Sequence, residues 1–120
     1  MIEITHVGER VIEMEIDGKV LHDDYVAMIP VLEEVIREHG KLRCVMVIKN
    51  LNGFEPRALV DDLKFDLKHI REIERCAIVC EPGWVAWMTR FWGLVMPFVK
   101  VKRFDVGEVE GARAWAGEDA

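Results

Sequence analysis

Two short runs, Leu42–Ile48 (LRCVMVI) and Cys76–Cys80 (CAIVC), most constrain what this chain can fold into. Each is almost continuously apolar, with no alternation that would leave one side wet. A strand of that kind needs cover on both faces, which parallel sheets receive from their crossover helices. The neighbouring segments read as that cover. Asp23 or Asp24 can cap a helix running to about His39, and Gly40 stops it. Tyr25, Ile29, Leu32 and Ile36 make one face of that helix, and Pro30 inside it is expected to bend it. Asn50-Leu51-Asn52-Gly53-Phe54 reads as a loop. Pro56 then suits the first turn of a second helix to about Ile73, with Leu59, Leu63, Leu67 and Ile70 facing inward.

Residues 2–7 and 10–17 alternate apolar and polar, with Ile2, Ile4 and His6 on one side and Ile12, Met14 and Ile16 following. Val7-Gly8-Glu9-Arg10 is a turn between them, so the pair reads as a hairpin. Phe98–Phe104 reads as an edge strand with Lys100 and Lys102 facing out, and Val109–Ala116 as a short last helix with Trp115 packed inward. The order is ββαβαβαβα. Strands alternating with helices pair in parallel through right-handed crossovers. The expectation is an α/β fold with a mixed five-stranded sheet, order 1-2-3-4-5, whose first strand is antiparallel. No repeat or composition break divides the chain, so residues 1–120 read as a single domain.

Composition narrows the partners. About half of the chain, 51%, is hydrophobic, enough for a sizeable core. The formal net charge of -6 argues against nucleic acid, which needs a basic footprint. It also opposes simple electrostatic docking on anionic lipid, so membrane contact would have to be driven by apolar surface. Met1-Ile2-Glu3-Ile4 lacks a basic region followed by an apolar run, and no uncharged stretch is long enough to span a bilayer. Three cysteines without paired spacing fit reduced thiols. The expected location is cytoplasmic, with peripheral membrane contact left open.

The segment from Trp84 to Phe98 holds three of the four tryptophans and two of the five phenylalanines, with Arg90 its one charge. On a helix its apolar residues sweep an arc of roughly 200° at about 100° per residue. A surface helix needs a little over ~100°. The surplus is aromatic and calls for a second apolar partner: a ligand, another subunit or a lipid surface. Leaving half of one large aromatic in water forgoes roughly 2–3 kcal/mol. Pro82-Gly83 before it and Gly93 and Pro97 within it supply hinge chemistry, so the sequence predicts a helix that can swing outward.

With that order in hand, the motifs resemble the SpoIIAA-like (STAS-fold) family of small bacterial and archaeal proteins. The carrying residues begin with Gly18-Lys19, His22-Asp23-Asp24-Tyr25 and Ile29-Pro30-Val31-Leu32-Glu33-Glu34. Glu38-His39-Gly40-Lys41-Leu42-Arg43, Gly53-Phe54-Glu55-Pro56 with Ala58-Leu59, and Asp61-Asp62-Leu63-Lys64-Phe65 with Leu67-Lys68-His69 follow. Trp84, Trp87 and Arg103-Phe104-Asp105 complete the set. The resemblance implies the same ββαβαβαβα fold, kinship with anti-sigma-factor antagonists and, in shape, with lipid-transfer domains. Those antagonists switch by phosphorylation of a serine at the start of the helix after the third strand. Here Glu55-Pro56-Arg57 stands there and the chain has no serine at all, so the phosphoserine switch is dropped.

Three further groups have side chains capable of chemistry. Asp62, Asp66 and His69 share one side of the second helix and could form a metal or acid–base cluster, but no further histidine or cysteine on that helix completes a ligand set. A solvated helix edge is the preferred reading there. Cys44, Cys76 and Cys80 lie on predicted neighbouring strands and read as small buried hydrophobes rather than a soft-metal site, with Cys80 the most reachable. The loop Asn50–Glu55 sits where open α/β sheets bind ligands but lacks a phosphate-cradling glycine pattern. Without serine there is no serine triad, and no cysteine has an evident histidine partner. No catalytic residue, metal or cofactor is assigned.

The sequence therefore reads as a non-enzymatic binding domain that takes an apolar small molecule or lipid between the aromatic helix 84–96 and the helix 56–73. Trp84, Trp87, Met88, Phe91 and Trp92 would line it from one side, and Leu59, Leu63 and Phe65 from the other. The alternative is a protein–protein module, with a homodimer expected, built on the same aromatic helix.

Overall fold

The computed structural model describes residues 1–8, 11–69, 71–81 and 100–118. Strand β1 (Ile2–Val7) runs antiparallel to β2 (Val11–Val20), and the Gly8 amide donates to the Val11 carbonyl at 2.9 Å where the chain turns. Helix α1 (His22–His39) leads to β3 (Leu42–Phe54), α2 (Pro56–Lys68) to β4 (Ile73–Val79), and β5 (Lys100–Phe104) to α3 (Val109–Gly117). The sheet order is β1-β2-β3-β4-β5, and every pair after the first is parallel. The strand order and directions are those the patterning predicts, while the expected helix 84–96 lies outside the described residues.

Local chemistry sets the ends of α1. At its start the Asp24 carboxylate accepts the Leu21 amide at 2.8 Å, which occupies a donor the helix cannot satisfy itself. Gly40 ends it in the left-handed region, φ 77°, with its amide on the Ile36 carbonyl at 2.7 Å. Pro30 lies inside the helix, which continues through it to His39.

The sheet separates two cores. On one face α1 contributes Tyr25, Met28, Leu32, Val35 and Ile36 and α2 contributes Ala58 and Phe65, over Ile12, Met14, Ile16, Cys44, Cys76 and Ile78. On the other, α3 lays Ala112 and Ala116 on Val45, Ala77, Val79 and Phe104, with Trp115 packed beside them. Strands β3 and β4 are thus covered on both sides, which is why their sequences do not alternate.

Four expectations need correction. Strand β3 does not stop at Ile48 but runs to Phe54, so Asn50–Phe54 is strand rather than loop. Its far half pairs with Asp17–Val20 through two bulges, and Gly18, at φ 82°, sits at one of them. Helix α2 ends at Lys68 and not near Ile73, which begins β4, and β4 starts three residues before Cys76. Helix α2 is also rotated from the expected phase. Its core-facing residues are Ala58, Asp62, Phe65 and His69, while Leu63 and Leu67 are exposed.

Candidate binding face

The carboxyl ends of β2 and β3 deliver the chain into the N-termini of α1 and α2, the crevice where open α/β sheets place ligands. A polar seam runs between the two helices from that end. His22 of α1 sets Nδ1 against the Asp61 carboxylate of α2, while its Nε2 lies 3.3 Å from an Arg57 guanidinium nitrogen. A guanidinium only donates, so Nε2 accepts and the Nδ1 proton goes to Asp61. Both ring nitrogens are engaged, and the imidazole acts as a brace that holds Arg57 at the mouth.

One turn deeper, the Tyr25 hydroxyl donates to Asp62 at 3.0 Å, which gives the half-buried, inward-facing carboxylate a partner. Beneath lie Cys44 and Cys76, side by side in the β3–β4 register, both buried. The Cys44 thiol hydrogen-bonds Cys76 and, with burial and the nearby Asp62 charge, holds the Cys76 thiol well above its usual range. Cys80 is buried too, so it is not the reachable cysteine expected; burial pushes its thiol up while Arg103 opposes the shift. Cys76 and Cys80 are thus inert thiols, since the reactive species is the thiolate. At the far end of the seam Glu33 lies 3.5 Å from Lys68 and 3.9 Å from the His69 ring. His69 is buried against Phe65, ring centroids 4.7 Å apart, and neither of its ring nitrogens has a hydrogen-bond partner among the described residues. The side holding Asp62 and His69 is therefore the inner face of α2, not a solvated edge; the side chain of Asp66 lies outside the described residues. No group of three metal-ligating side chains forms among the described residues.

The outer face of α2 carries the other half of the site. Val60, Leu63 and Leu67, at i, i+3 and i+7, are 51%, 39% and 56% exposed. At about 100° per residue they lie roughly 180° round the helix from Ala58, Phe65 and His69. Helix α2 is apolar on two opposite sides and buries only one. Of the expected ligand-lining residues on this helix, Leu63 is on the outward stripe, Leu59 is half-buried, and Phe65 is core at 8% exposure. Phe65 is thus not free to face a ligand, a correction that follows from the rotated phase. Trp84, Trp87, Met88, Phe91 and Trp92 lie outside the described residues. The His22–Asp61–Arg57 brace and the outward positions of Val60 and Leu67 escaped sequence reasoning. The signal available was a second apolar arc on the helical wheel of 56–68, with Arg57, Lys64 and Lys68 beside it.

A five-stranded mixed sheet that carries, among the described residues, two helices on one face and one on the other defines a small α/β domain of the kind used for binding or regulation. The family model for SpoIIAA-like proteins matches residues 11–117, and the chain belongs to that family. It is similar to an uncharacterised protein with a SpoIIAA-like fold from Shewanella loihica PV-4, known from a crystal structure. The two share 30% identity and superpose with a TM-score of 0.74, over 97% of this chain and 92% of that one. Among curated proteins nothing matches.

Proposed function

We propose that this SpoIIAA-like domain is a non-enzymatic binding module for an apolar small molecule or lipid, taken up on the outward face of α2. The observation that supports the reading is the stripe Val60, Leu63 and Leu67, left exposed on a helix whose opposite side already makes the core. Each side chain of this kind gains about 1.5–3 kcal/mol when fully removed from water, so an occupant of the stripe is well rewarded. The aromatic segment supplies the second wall of the proposed site, with Trp84, Trp87, Met88, Phe91 and Trp92 assigned to it from the sequence. The polar seam serves as framework, since both His22 nitrogens are engaged and the cysteines are buried thiols.

Titration with monomeric oleate, followed by tryptophan fluorescence, tests this. The expected result is a saturable change that weakens about tenfold or more in Val60→Gln/Leu67→Gln, from loss of two apolar contacts. No fluorescence change with any chain length of fatty acid sinks the reading. A concentration-dependent dimer in light scattering that dissociates in the same double variant, without any response to oleate, supports the protein–protein alternative instead.

A further inference from the structure

We infer that His22 is a proton-operated clasp on Arg57. The neutral imidazole holds the guanidinium at the mouth of the crevice, and the protonated imidazole releases it to a small oxyanion entering from solution. The outward face of α2 plays no part in this.

The two ring nitrogens of His22 do opposite work. Nδ1 faces the Asp61 carboxylate, and Nε2 lies 3.3 Å from an Arg57 guanidinium nitrogen. A guanidinium has only donors and keeps its charge at every pH of interest, so the second contact exists only while Nε2 is bare. One added proton fills Nε2. The Asp61 contact survives and becomes charge-assisted, whereas the Arg57 contact turns from a hydrogen bond into two cations face to face. The clasp therefore opens on one side only, and α1 stays joined to α2 through Asp61.

The surroundings leave Arg57 able to respond. It is exposed, and His22 is its one polar contact among the described residues. Asp61, four positions on along α2, is the carboxylate to which a released Arg57 could turn, but the imidazolium holds it more tightly in that same state. On α1, Asp23 and Asp24 are the acidic neighbours of His22, and Asp24 already accepts the Leu21 amide at 2.8 Å and lies 3.9 Å from the Met1 amine. Lys19 near the end of β2 is exposed and Glu55 before α2 is half-buried. Neither pairs with His22 or Arg57 among the described residues. The freed guanidinium stands where the carboxyl ends of β2 and β3 meet the helix starts, and its fork suits two oxygens of one anion. Linkage is reciprocal: an oxyanion that takes Arg57 favours proton uptake at His22 by the same factor.

Nitrogen-15 NMR of the full chain tests both halves. At about pH 8 the neutral His22 ring should carry its proton on Nδ1 and leave Nε2 bare. On acidification to about pH 5, across the range in which histidines change charge, the Arg57 side-chain signals should move with the same midpoint as the ring. Sulfate, whose charge is constant over this range, is the anion probe. It should bind at Arg57 about tenfold more tightly at the acid end, and adding it should raise the His22 midpoint. His22→Gln should remove the pH dependence of sulfate binding, whereas Asp61→Asn, which leaves the ring in place, should retain it. A neutral ring protonated on Nε2, Arg57 signals that stay flat while His22 titrates, or the same pH dependence of sulfate binding in His22→Gln as in the parent overturns the inference.

Discussion

Arg43 and Arg75 are neighbours in the β3–β4 register, and both are buried under α3, an arrangement that two like charges do not adopt without compensation. The end of α3 supplies it. Arg43 donates to the carbonyls of Ala116 at 3.1 Å and Glu118 at 2.5 Å, while Arg75 donates to the Trp115 carbonyl at 2.7 Å and lies over the Trp115 ring. The last carbonyls of a helix are its orphan acceptors and its negative pole, so two guanidiniums there satisfy both needs at once. Arg43→Leu should therefore cost about 2–3 kcal/mol, the range for charge-assisted hydrogen bonds lost from a buried site, read as a lower urea midpoint. A midpoint within error of the parent would mean that the bonds from Arg43 to the end of α3 contribute no net stability. At the middle of α3, Arg113 grips buried Glu13 through two bonds of 2.5 and 2.9 Å. The Arg113 hydrogen bond foremost holds Glu13 below its ordinary 4.5, against the opposing effect of burial; the Arg113 charge and a hydrogen bond from Thr5 add to the lowering. A carboxylate depressed in the folded state contributes stability that is present above its unfolded pKa and lost as pH falls through its folded one. Thermal midpoints of the parent should consequently fall on acidification below the ordinary 4.5, and Glu13→Gln should flatten that limb while starting from a lower midpoint near neutrality. Parallel curves for the two proteins would remove Glu13 from the acid response.

Among the elements, α2 is the most instructive, because its sequence offers two apolar arcs and only one can face the sheet. Counting leucines selects Leu59, Leu63 and Leu67, the wrong arc. The fold selects Ala58, Asp62, Phe65 and His69, for reasons that lie outside the helix: Ala58 allows close approach, Phe65 fills volume, and the Tyr25 hydroxyl of α1 meets Asp62. A polar residue on the inner face becomes tolerable only when its partner is known, and Tyr25 is 37 positions away in sequence. Helix α1 was legible because its apolar face has no rival and both ends carry cap chemistry, Asp24 and Gly40. The core of the sheet was legible because LRCVMVI and CAIVC can only be doubly covered strands. The far half of β3 was not, since Asn50-Leu51-Asn52-Gly53 has turn composition and is held as strand by the bulged end of β2. The site shared this fate: Leu63 was visible, but the brace of His22, Asp61 and Arg57 joins two helices that only the fold brings together. The rotated phase makes a direct forecast. Phe65→Ala should cost about 3–5 kcal/mol as a core truncation, whereas Leu67→Gln should lie within about 0.5 kcal/mol of the parent as a surface change. Urea unfolding of the two variants reads the phase, and the reverse order of costs would restore the leucine-inward helix.

For the whole molecule, the topology sets a gradient of stability. Strand β3 is paired on both sides, by β2 and by β4, and both of its faces are covered, by α1 and α2 on one and α3 on the other. Strands β1 and β5 are the sheet edges, and β5 places Lys100 and Lys102 in solvent, a common guard against edge pairing. Helix α2 stands between these extremes, anchored on one side by Phe65 and His69 and bare on the other along Val60, Leu63 and Leu67. Local opening costs the least where few apolar contacts must be broken, so amide exchange should report this gradient. Amides of 44–48 and 76–79 should exchange only through global opening. Those of β1 and β5 should exchange at least about tenfold sooner, a local opening cheaper by ~1.4 kcal/mol or more. Amides of α2 should fall between the two sets in the free protein. Anything that occupies the outer face adds contacts that opening must break, so monomeric oleate should slow the α2 amides selectively and leave those of β3 unchanged. Uniform protection of every strand would mean that the sheet opens as one unit, edges included. Unchanged α2 exchange in the presence of oleate that changes the tryptophan fluorescence would move the binding face to another part of the molecule.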